Sequence, residues 1–158
     1  MTSIYDAIKA DHDRHRDLLA DIADTSGASD ARKQAWTEFY CDVKSHAAAE
    51  EETFYSKLMS KTWGQDAARH SVTEHAELDG LMEELNGMDM ASSGWLNKFN
   101  KLKHDYEHHM DEEENEVFDR ARKVIPEEET ASFGDRFRER KRKEMKLVEE
   151  KREDQLED

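Results

Sequence analysis

The chain has 158 residues, of which 40% are charged and 35% are hydrophobic, and its formal net charge is −15. This length suits one domain with a real core, but no stretch approaches the roughly 20 apolar residues of a membrane span, and no signal-peptide pattern is present. The lone cysteine, Cys41, excludes an internal disulfide framework, and the acidic surplus argues against a nucleic-acid or membrane partner. We therefore expect a soluble, cytoplasmic protein.

Four segments of helical length follow one another, separated by short stretches rich in Gly, Ser, Thr and Asn. Segment A covers about 3–24, segment B about 30–60, segment C about 65–86 and segment D about 94–125. Within each segment, apolar residues recur every three or four positions, which is the period of an amphipathic helix. Four such helices with short links predict an all-α, up-down-up-down four-helix bundle over 1–126.

The remainder of the chain, 127–158, is predicted to be a charged helix or tail that packs only at its start. Pro126 suits the beginning of a helix, and the three glutamates that follow it complement the positive end of the helix dipole. Phe133 and Phe137 are the apolar residues available to dock the start of this helix. Beyond them, basic and acidic residues alternate, which is typical of a solvated helix rather than of a nucleic-acid-binding surface.

The two halves of the chain repeat a pattern of histidine and glutamate. In each half, a histidine in the first segment is followed 34 positions later by the histidine of a His-x-x-x-Glu motif. The six residues are His12, His46 and Glu50 in segments A and B, and His75, His109 and Glu113 in segments C and D. Segments A and B therefore form one predicted hairpin, and segments C and D form a second copy of it.

The repeated residues point toward the predicted core. At about 100° per residue, both glutamates and three of the histidines fall inside the apolar arcs of their helices, and His109 lies at the margin of its arc. A buried, ionised carboxylate without a partner is strongly disfavoured, and two facing glutamates repel each other unless cations lie between them. Because residues four apart share a helix face, and because imidazole with carboxylate suits iron or manganese, the pattern predicts a two-metal site.

These residues resemble the hemerythrin-like family of four-helix HHE cation-binding domains, of the bacterial type. The likeness covers about 1–140 and rests on the histidine of segments A and C and on the His-x-x-x-Glu motif of segments B and D. It implies a non-haem di-iron centre with an oxo or hydroxo bridge, two bridging glutamates, and manganese as the alternative metal. The implied metal ligands are His12, His46, Glu50, His75, His109 and Glu113. An open iron position would then take O2, NO or peroxide.

The chain departs from the oxygen-carrying members of that family, which have two histidines four positions apart in the third helix. Ser71 and Asp79 occupy the positions four before and four after the histidine of segment C, so one iron has fewer protein ligands. Whether another side chain completes the coordination stays open. His15 aligns with a leucine of the repeat, which favours a core or supporting role, whereas His108 turns outward and Tyr106 lies within the apolar stripe.

Three functions stay open at this point. Reversible binding or sensing of O2 or NO ranks first, because no acid–base group of residues stands outside the metal set. A peroxide- or NO-consuming enzyme ranks second, and an iron-responsive interaction module acting through 138–158 ranks third. The expected settings are oxygen, oxidative or nitrosative stress sensing and iron handling, in a monomer or weak homo-oligomer. A ferritin-like site is set aside, because its Glu-x-x-His spacing does not occur in the sequence.

Acidic residues flank the predicted ligands. Asp11 and Glu74 each precede a predicted histidine ligand and are weak candidates to support the metal ligands through hydrogen bonds. Glu51 and Glu114, which follow the two predicted bridging glutamates, fit the interpretation of surface charges in a chain this rich in glutamate. His70 is also interpreted as a surface residue, because the repeat aligns it with an alanine.

Overall fold

The computed structural model describes residues 2–157, with side chains through residue 153. Helix α1 spans Ile4–Ala23 and helix α3 spans Thr62–Asn86. Helix α2 spans Asp30–Glu50 and continues through a π-helical turn, Glu51–Tyr55, into Ser56–Leu58. Helix α4 has the same construction, with Ser93–Glu112, a π-helical turn at Glu113–Val117, and Phe118–Ala121. Helix α5 spans Thr130–Glu157 after a 3-10 turn at Glu127–Glu129.

Helices α1 to α4 form the predicted up-down-up-down bundle, and the all-α fold is confirmed. Three helices begin at a serine whose hydroxyl accepts a hydrogen bond from a backbone N–H three residues later. These serines are Ser3, Ser29 and Ser92, with distances of 3.1, 3.2 and 3.2 Å. Such caps satisfy amide groups that have no partner within the helix. Across residues 2–157, every helix is too short or too polar to cross a lipid bilayer.

The interior of the bundle consists of two apolar clusters separated by a polar layer. One cluster is built around Trp36, Trp95 and Phe99, and the other around Ile8 and Phe54. Each of the four bundle helices passes from one cluster to the other through at least one of the predicted metal ligands. The polar layer therefore lies at mid-height in the bundle, with apolar packing on both sides of it.

Helix α5 packs across α1 and α2 over more of its length than the sequence analysis predicted. Phe137 is buried in one cluster as expected, but Met145 and Val148 also pack against the other cluster. Further along, the Arg152 guanidinium donates a hydrogen bond to Thr37 Oγ1 over 3.1 Å. The expectation that only the start of this segment packs is therefore wrong, because a narrow apolar ridge runs among its charged residues. The predicted domain boundary before α5 stays a prediction.

The packing of α3 against the end of α2 gives a test of the fold. A Cβ atom at Gly64 would overlap the backbone carbonyl of Leu58, whereas one at the exposed Gly80 of the same helix would meet nothing within 4 Å. We expect Gly64→Ala to lower the free energy of unfolding by roughly 1–3 kcal/mol through overpacking. Gly80→Ala should raise it by up to about 1 kcal/mol, since alanine favours the helix. Urea denaturation measures both, and equal stabilities would contradict this packing.

Candidate metal centre

The structure brings all six predicted metal ligands together in the polar layer, and each is less than a tenth exposed. Their donor atoms form two groups, and within each group the atoms lie within 4.8 Å of one another. The four-donor half-site consists of His12, His46, Glu50 and Glu113, and the three-donor half-site consists of Glu50, His75 and His109. Because Glu50 belongs to both groups, the two half-sites adjoin, as a dinuclear centre requires.

Each of the four histidines turns its Nε2 atom toward one of the two glutamates. In the four-donor half-site, His12 Nε2 lies 3.2 Å from Glu113 Oε1, and His46 Nε2 lies 3.1 Å from Glu50 Oε2. On the other side, His75 Nε2 lies 3.6 Å from Glu50 Oε1, and His109 Nε2 lies 3.8 Å from Glu113 Oε2. Both glutamates therefore lie between histidines from two different helices.

The opposite ring nitrogen, Nδ1, of each histidine contacts a carboxylate at the outside of the polar layer. The pairs are His12 with Glu114 (2.9 Å), His46 with Asp11 (2.7 Å), His75 with Glu51 (2.8 Å) and His109 with Glu74 (2.9 Å). An ionised carboxylate only accepts hydrogen bonds, so Nδ1 carries the hydrogen and donates it. In a neutral ring, Nε2 then presents its lone pair to the centre, which is the form that binds a metal ion.

Each supporting carboxylate is adjacent in sequence to a predicted metal ligand but contacts a histidine on another helix. Asp11 and Glu74 take the supporting position that the sequence analysis proposed for them. The interpretation of Glu51 and Glu114 as surface charges is wrong: Glu114 is only 15% exposed and also pairs with Arg16. The repeated Glu-Glu pair could have indicated this role. The second glutamate of each pair lies about 100° around the helix from the first, at the edge that faces a neighbouring helix.

The interior atoms of the centre lack partners, and this tests whether a metal fits. Among the described residues, no suitably oriented hydrogen-bond partner exists for Nε2 of His12 and His109, for both Glu50 oxygens, or for Glu113 Oε1. Buried polar groups of this kind are costly unless something satisfies them. Divalent cations would satisfy nitrogen and oxygen donors alike. The residues present therefore fit a metal pair.

The two central carboxyl groups differ in their pKa values. Burial, together with the negative charge of Glu113, raises the pKa of Glu50 well above its usual value. Burial acts on Glu113 in the same direction, but the contacts with His12, Glu50 and His109 together outweigh it, so the pKa of Glu113 lies well below the usual value. Opposite shifts of this kind are expected for two acids forced close together.

His15 lies beside the centre and belongs to neither half-site, and the Tyr106 hydroxyl is engaged with it. His15 Nε2 donates a hydrogen bond to Asp42 Oδ2 over 2.6 Å, and the Tyr106 hydroxyl donates to His15 Nδ1 over 2.7 Å. Burial lowers the pKa of His15 to about 4, which keeps the ring neutral. His15 thus occupies the core position that its alignment with a leucine favoured. His108 is 70% exposed, in agreement with its predicted outward direction.

Tyr55 is a residue of the centre that the sequence analysis missed. Its hydroxyl is buried and donates a hydrogen bond to Glu113 Oε2 over 2.6 Å. The repeat contained the signal, because Tyr55 aligns with Phe118 and only the tyrosine has a hydroxyl. Tyr55 therefore helps to fix the orientation of one of the two central carboxylates.

Helix α5 also reaches the residues that support the centre. The ring of Phe137 meets the ring of His46 edge to face, with 5.4 Å between the ring centres. Lys141 Nζ lies 2.9 Å from Asp11 Oδ1 and 3.0 Å from Asp42 Oδ1. The C-terminal helix therefore covers the outer side of His46 and holds the carboxylate that orients it.

A cavity of about 420 Å³ opens between α3 and α4 and reaches His109 of the three-donor half-site and Glu113 of the four-donor half-site. Its inner end is lined by the buried residues Ser71, His109 and Glu113, and its mouth by His70 and Glu112, which are partly exposed. Ser71 is one of the two positions, four residues before and after His75, at which the chain lacks a second histidine in α3. Its small side chain leaves space beside the less coordinated half of the centre.

The family model of the hemerythrin HHE cation binding domain matches residues 3–121 of the chain. The chain belongs to this family. Together with the buried histidine and glutamate groups, this membership indicates a metal-binding protein.

Two further proteins are similar to the chain. A protein named DNA nickase from Nostoc sp. is 23% identical over 141 residues, which cover 89% of this chain and 40% of that protein. The chain thus spans less than half the length of that curated relative. A crystal structure of a hemerythrin HHE cation binding domain-containing protein from Mycobacterium kansasii has a TM-score of 0.84 at 22% identity, covering 96% of this chain and 92% of that one. This likeness confirms the predicted fold.

The raised pKa of Glu50 predicts a pH-dependent stability for the metal-free chain. Its carboxyl group keeps its proton to higher pH when folded than when unfolded, where its pKa is about 4.3. Its contribution to stability is therefore full at low pH and is lost as the pH rises toward the folded pKa. We expect metal-free Glu50→Gln to be more stable than the unsubstituted chain at pH 8, by roughly 1–3 kcal/mol, with the difference shrinking toward pH 5.

Urea denaturation in the presence of a chelator, at both pH values, measures this effect. The exposed Glu77 provides the control, since Glu77→Gln should leave stability nearly unchanged at either pH. If Glu50→Gln is no more stable than the unsubstituted chain at pH 8, the central carboxyl group is not disfavoured by its surroundings.

Proposed function

We propose that the chain holds two iron ions in its polar layer and binds O2, or a related small ligand such as NO or peroxide, at the three-donor half-site. One observation carries this proposal: the two half-sites share Glu50 but have unequal donor sets, and the cavity reaches His109 of the poorer set beside Glu113. Manganese suits the same nitrogen and oxygen donors and is the alternative metal. We place this activity in the cytoplasm, in stress sensing or iron handling, in a monomer or weak homo-oligomer.

Bound iron would supply electrons and Lewis acidity. The chain itself supplies orientation, through the four Nδ1–H hydrogen bonds that fix the imidazole rings. It also supplies apolar packing on both sides of the polar layer, so that the cavity is the route by which small molecules reach the centre. In such surroundings the electrostatic interactions of a small ligand are stronger than in water.

Two hydroxyl groups at the inner end of the cavity have separate roles in this proposal. The Tyr55 hydroxyl is already engaged with Glu113 and holds that carboxylate in place. Ser71 Oγ is buried, lines the cavity and makes no well-oriented hydrogen bond among the described residues, although the Tyr55 hydroxyl lies close to it. It is therefore available to donate a hydrogen bond to an oxygen atom of a small molecule that enters.

Two further functions draw on specific observations. The open cavity would equally admit peroxide or NO for consumption by an enzyme. The contacts from Lys141 to Asp11, and from Asp11 to His46, connect α5 to the centre, which suits a module whose partner binding responds to iron.

We do not propose for this chain the DNA-nicking activity that appears in the name of the Nostoc protein. A net charge of −15 opposes contact with a phosphate backbone, so we propose no nucleic-acid or membrane partner.

Metal analysis after anaerobic loading with Fe2+ tests the centre. We expect close to two irons per chain, with a near-ultraviolet absorption that develops after exposure to air. The double variant Glu50→Ala, Glu113→Ala should lose most of this uptake, since it removes the donor that the half-sites share and the second central carboxylate. As a control, the double variant Glu77→Ala, Glu107→Ala removes two glutamates that are more exposed than Glu50 and Glu113, and it should keep the uptake. Intact uptake in the first variant, with its helicity unchanged by circular dichroism, would refute the proposed centre.

Rapid mixing of the iron-loaded protein with peroxide separates binding from turnover. We expect a spectral change with at most about one equivalent of peroxide consumed, whereas an enzyme would consume many. Ser71→His should place a further imidazole beside the three-donor half-site and slow the reaction about tenfold or more, while Ser71→Ala should leave it accessible. If Ser71→His reacts as fast as the unsubstituted protein, the ligand does not approach through this cavity.

A further inference from the structure

A second cluster of metal-binding residue types lies at the mouth of the cavity. His70 and Glu74 are four positions apart on α3, and Glu112 faces them from α4. His70 Nε2 lies 3.0 Å from Glu74 Oε1 and 3.2 Å from Glu112 Oε1. One donor atom from each of the three residues lies within 4.8 Å of the other two. His70 is exposed, as its interpretation as a surface residue predicted, but the sequence analysis did not predict its two carboxylate neighbours.

The spacing of these donors suits a divalent transition-metal ion. Two ligand atoms bound at about 2.1 Å and at right angles are about 3 Å apart, which matches the separations at His70. Imidazole favours transition metals, whereas magnesium and calcium prefer sites made of oxygen atoms alone. His108 Nε2, at 3.5 Å from Glu112 Oε2, offers a further nitrogen nearby. Since the side chain of His70 is 57% exposed, water would complete the coordination and binding would be weaker than in the buried centre.

The cavity joins this cluster to the buried centre. Its inner end is lined by Glu113, His109 and Ser71. Each of these residues has a buried side-chain atom without a well-oriented hydrogen bond among the described residues: Oε1 of Glu113, Nε2 of His109 and Oγ of Ser71. Glu74 connects the two ends directly, because the oxygen that lies near His70 also accepts the hydrogen bond from His109 Nδ1. A cation held at the mouth is thus one side chain away from a ligand of the three-donor half-site.

The charges along the cavity favour the entry of a cation. Asp66 and Glu116 line it in addition to the glutamates already named, and Arg120 is the basic residue among its lining residues. The Arg120 guanidinium lies over the ring of Trp63, 4.6 Å from the ring centre, and so is held against the wall. A cleft lined mainly by one sign of charge concentrates ions of the opposite sign and accelerates their arrival.

We propose that His70, Glu74 and Glu112 form a third, weaker site for a divalent transition-metal ion, and that Fe2+ occupies it on the way to the buried centre. The site itself stands on the geometry at the cavity mouth, while its loading role rests on the proposed function. Glu74 has a share in both sites, so the two residues to be substituted in a test are His70 and Glu112.

The test compares His70→Ala combined with Glu112→Gln against the unsubstituted protein and a control. His104→Ala is the control, since it removes an 85% exposed histidine from α4 that lies outside the three clusters. Anaerobic titration with Co2+, followed by visible absorption and equilibrium dialysis, counts tight and weak ions. Rapid mixing of the metal-free protein with Fe2+, quenched by a chelator that removes only unbound and weakly bound iron, measures the rate of loading.

We expect the unsubstituted protein and His104→Ala to bind two tight Co2+ ions and one weaker ion. The double variant should lose the weaker ion and load Fe2+ about tenfold more slowly, while reaching the same final content of tight ions. A weaker ion that persists in the double variant would overturn the site, as would its absence from the unsubstituted protein. An unchanged loading rate would overturn the loading role. Failure of the unsubstituted protein to bind tight ions would instead count against the buried centre, so the two failures are distinguishable.

Discussion

Two carboxyl groups, Glu50 and Glu113, lie at mid-height in a helical bundle, where an ionised group needs a counter-charge to be tolerated. The four outer carboxylates carry the same sign of charge and cannot provide it. Their contribution is to hold the histidine rings so that every Nε2 atom faces the two glutamates. The helices thus surround a small volume with nitrogen and oxygen atoms that can bind a metal ion. Folding stability and cation affinity therefore depend on the same atoms. Bound metal would stabilise the folded chain, and its removal would lower the free energy of unfolding.

The bundle and the six central residues could be predicted because their signals are local or repeated. Apolar periodicity fixes which face of each helix turns inward, and the equal spacing of His12 and His46 and of His75 and His109 marks two copies of one hairpin. Glu50 lies four positions after His46, and this spacing alone puts both side chains on one face. None of these inferences required knowing which helix packs beside which.

The residues that sequence reasoning missed depend on contacts between helices. Glu51 and Glu114 look like two more acids in an acidic chain until the neighbouring helix brings a histidine to each. Tyr55 occupies a position where an apolar ring would pack equally well, so its hydroxyl bond to Glu113 leaves no trace in the hydropathy pattern. The docking of α5 was underestimated for a related reason, since its apolar residues are few and are separated by charged ones.

Helix α5 has no counterpart in the repeat, and this breaks the approximate two-fold symmetry of the centre. It lies against α1 and α2, with Phe137 on the ring of His46, while the opposite flank between α3 and α4 is open. The two repeated sets of ligands therefore have different surroundings, one covered by α5 and the other beside the cavity. The four-donor half-site, which contains His46, lies against α5, whereas His109 of the three-donor half-site lines the cavity. The two metal positions would therefore differ in reactivity although their ligands are near copies of each other.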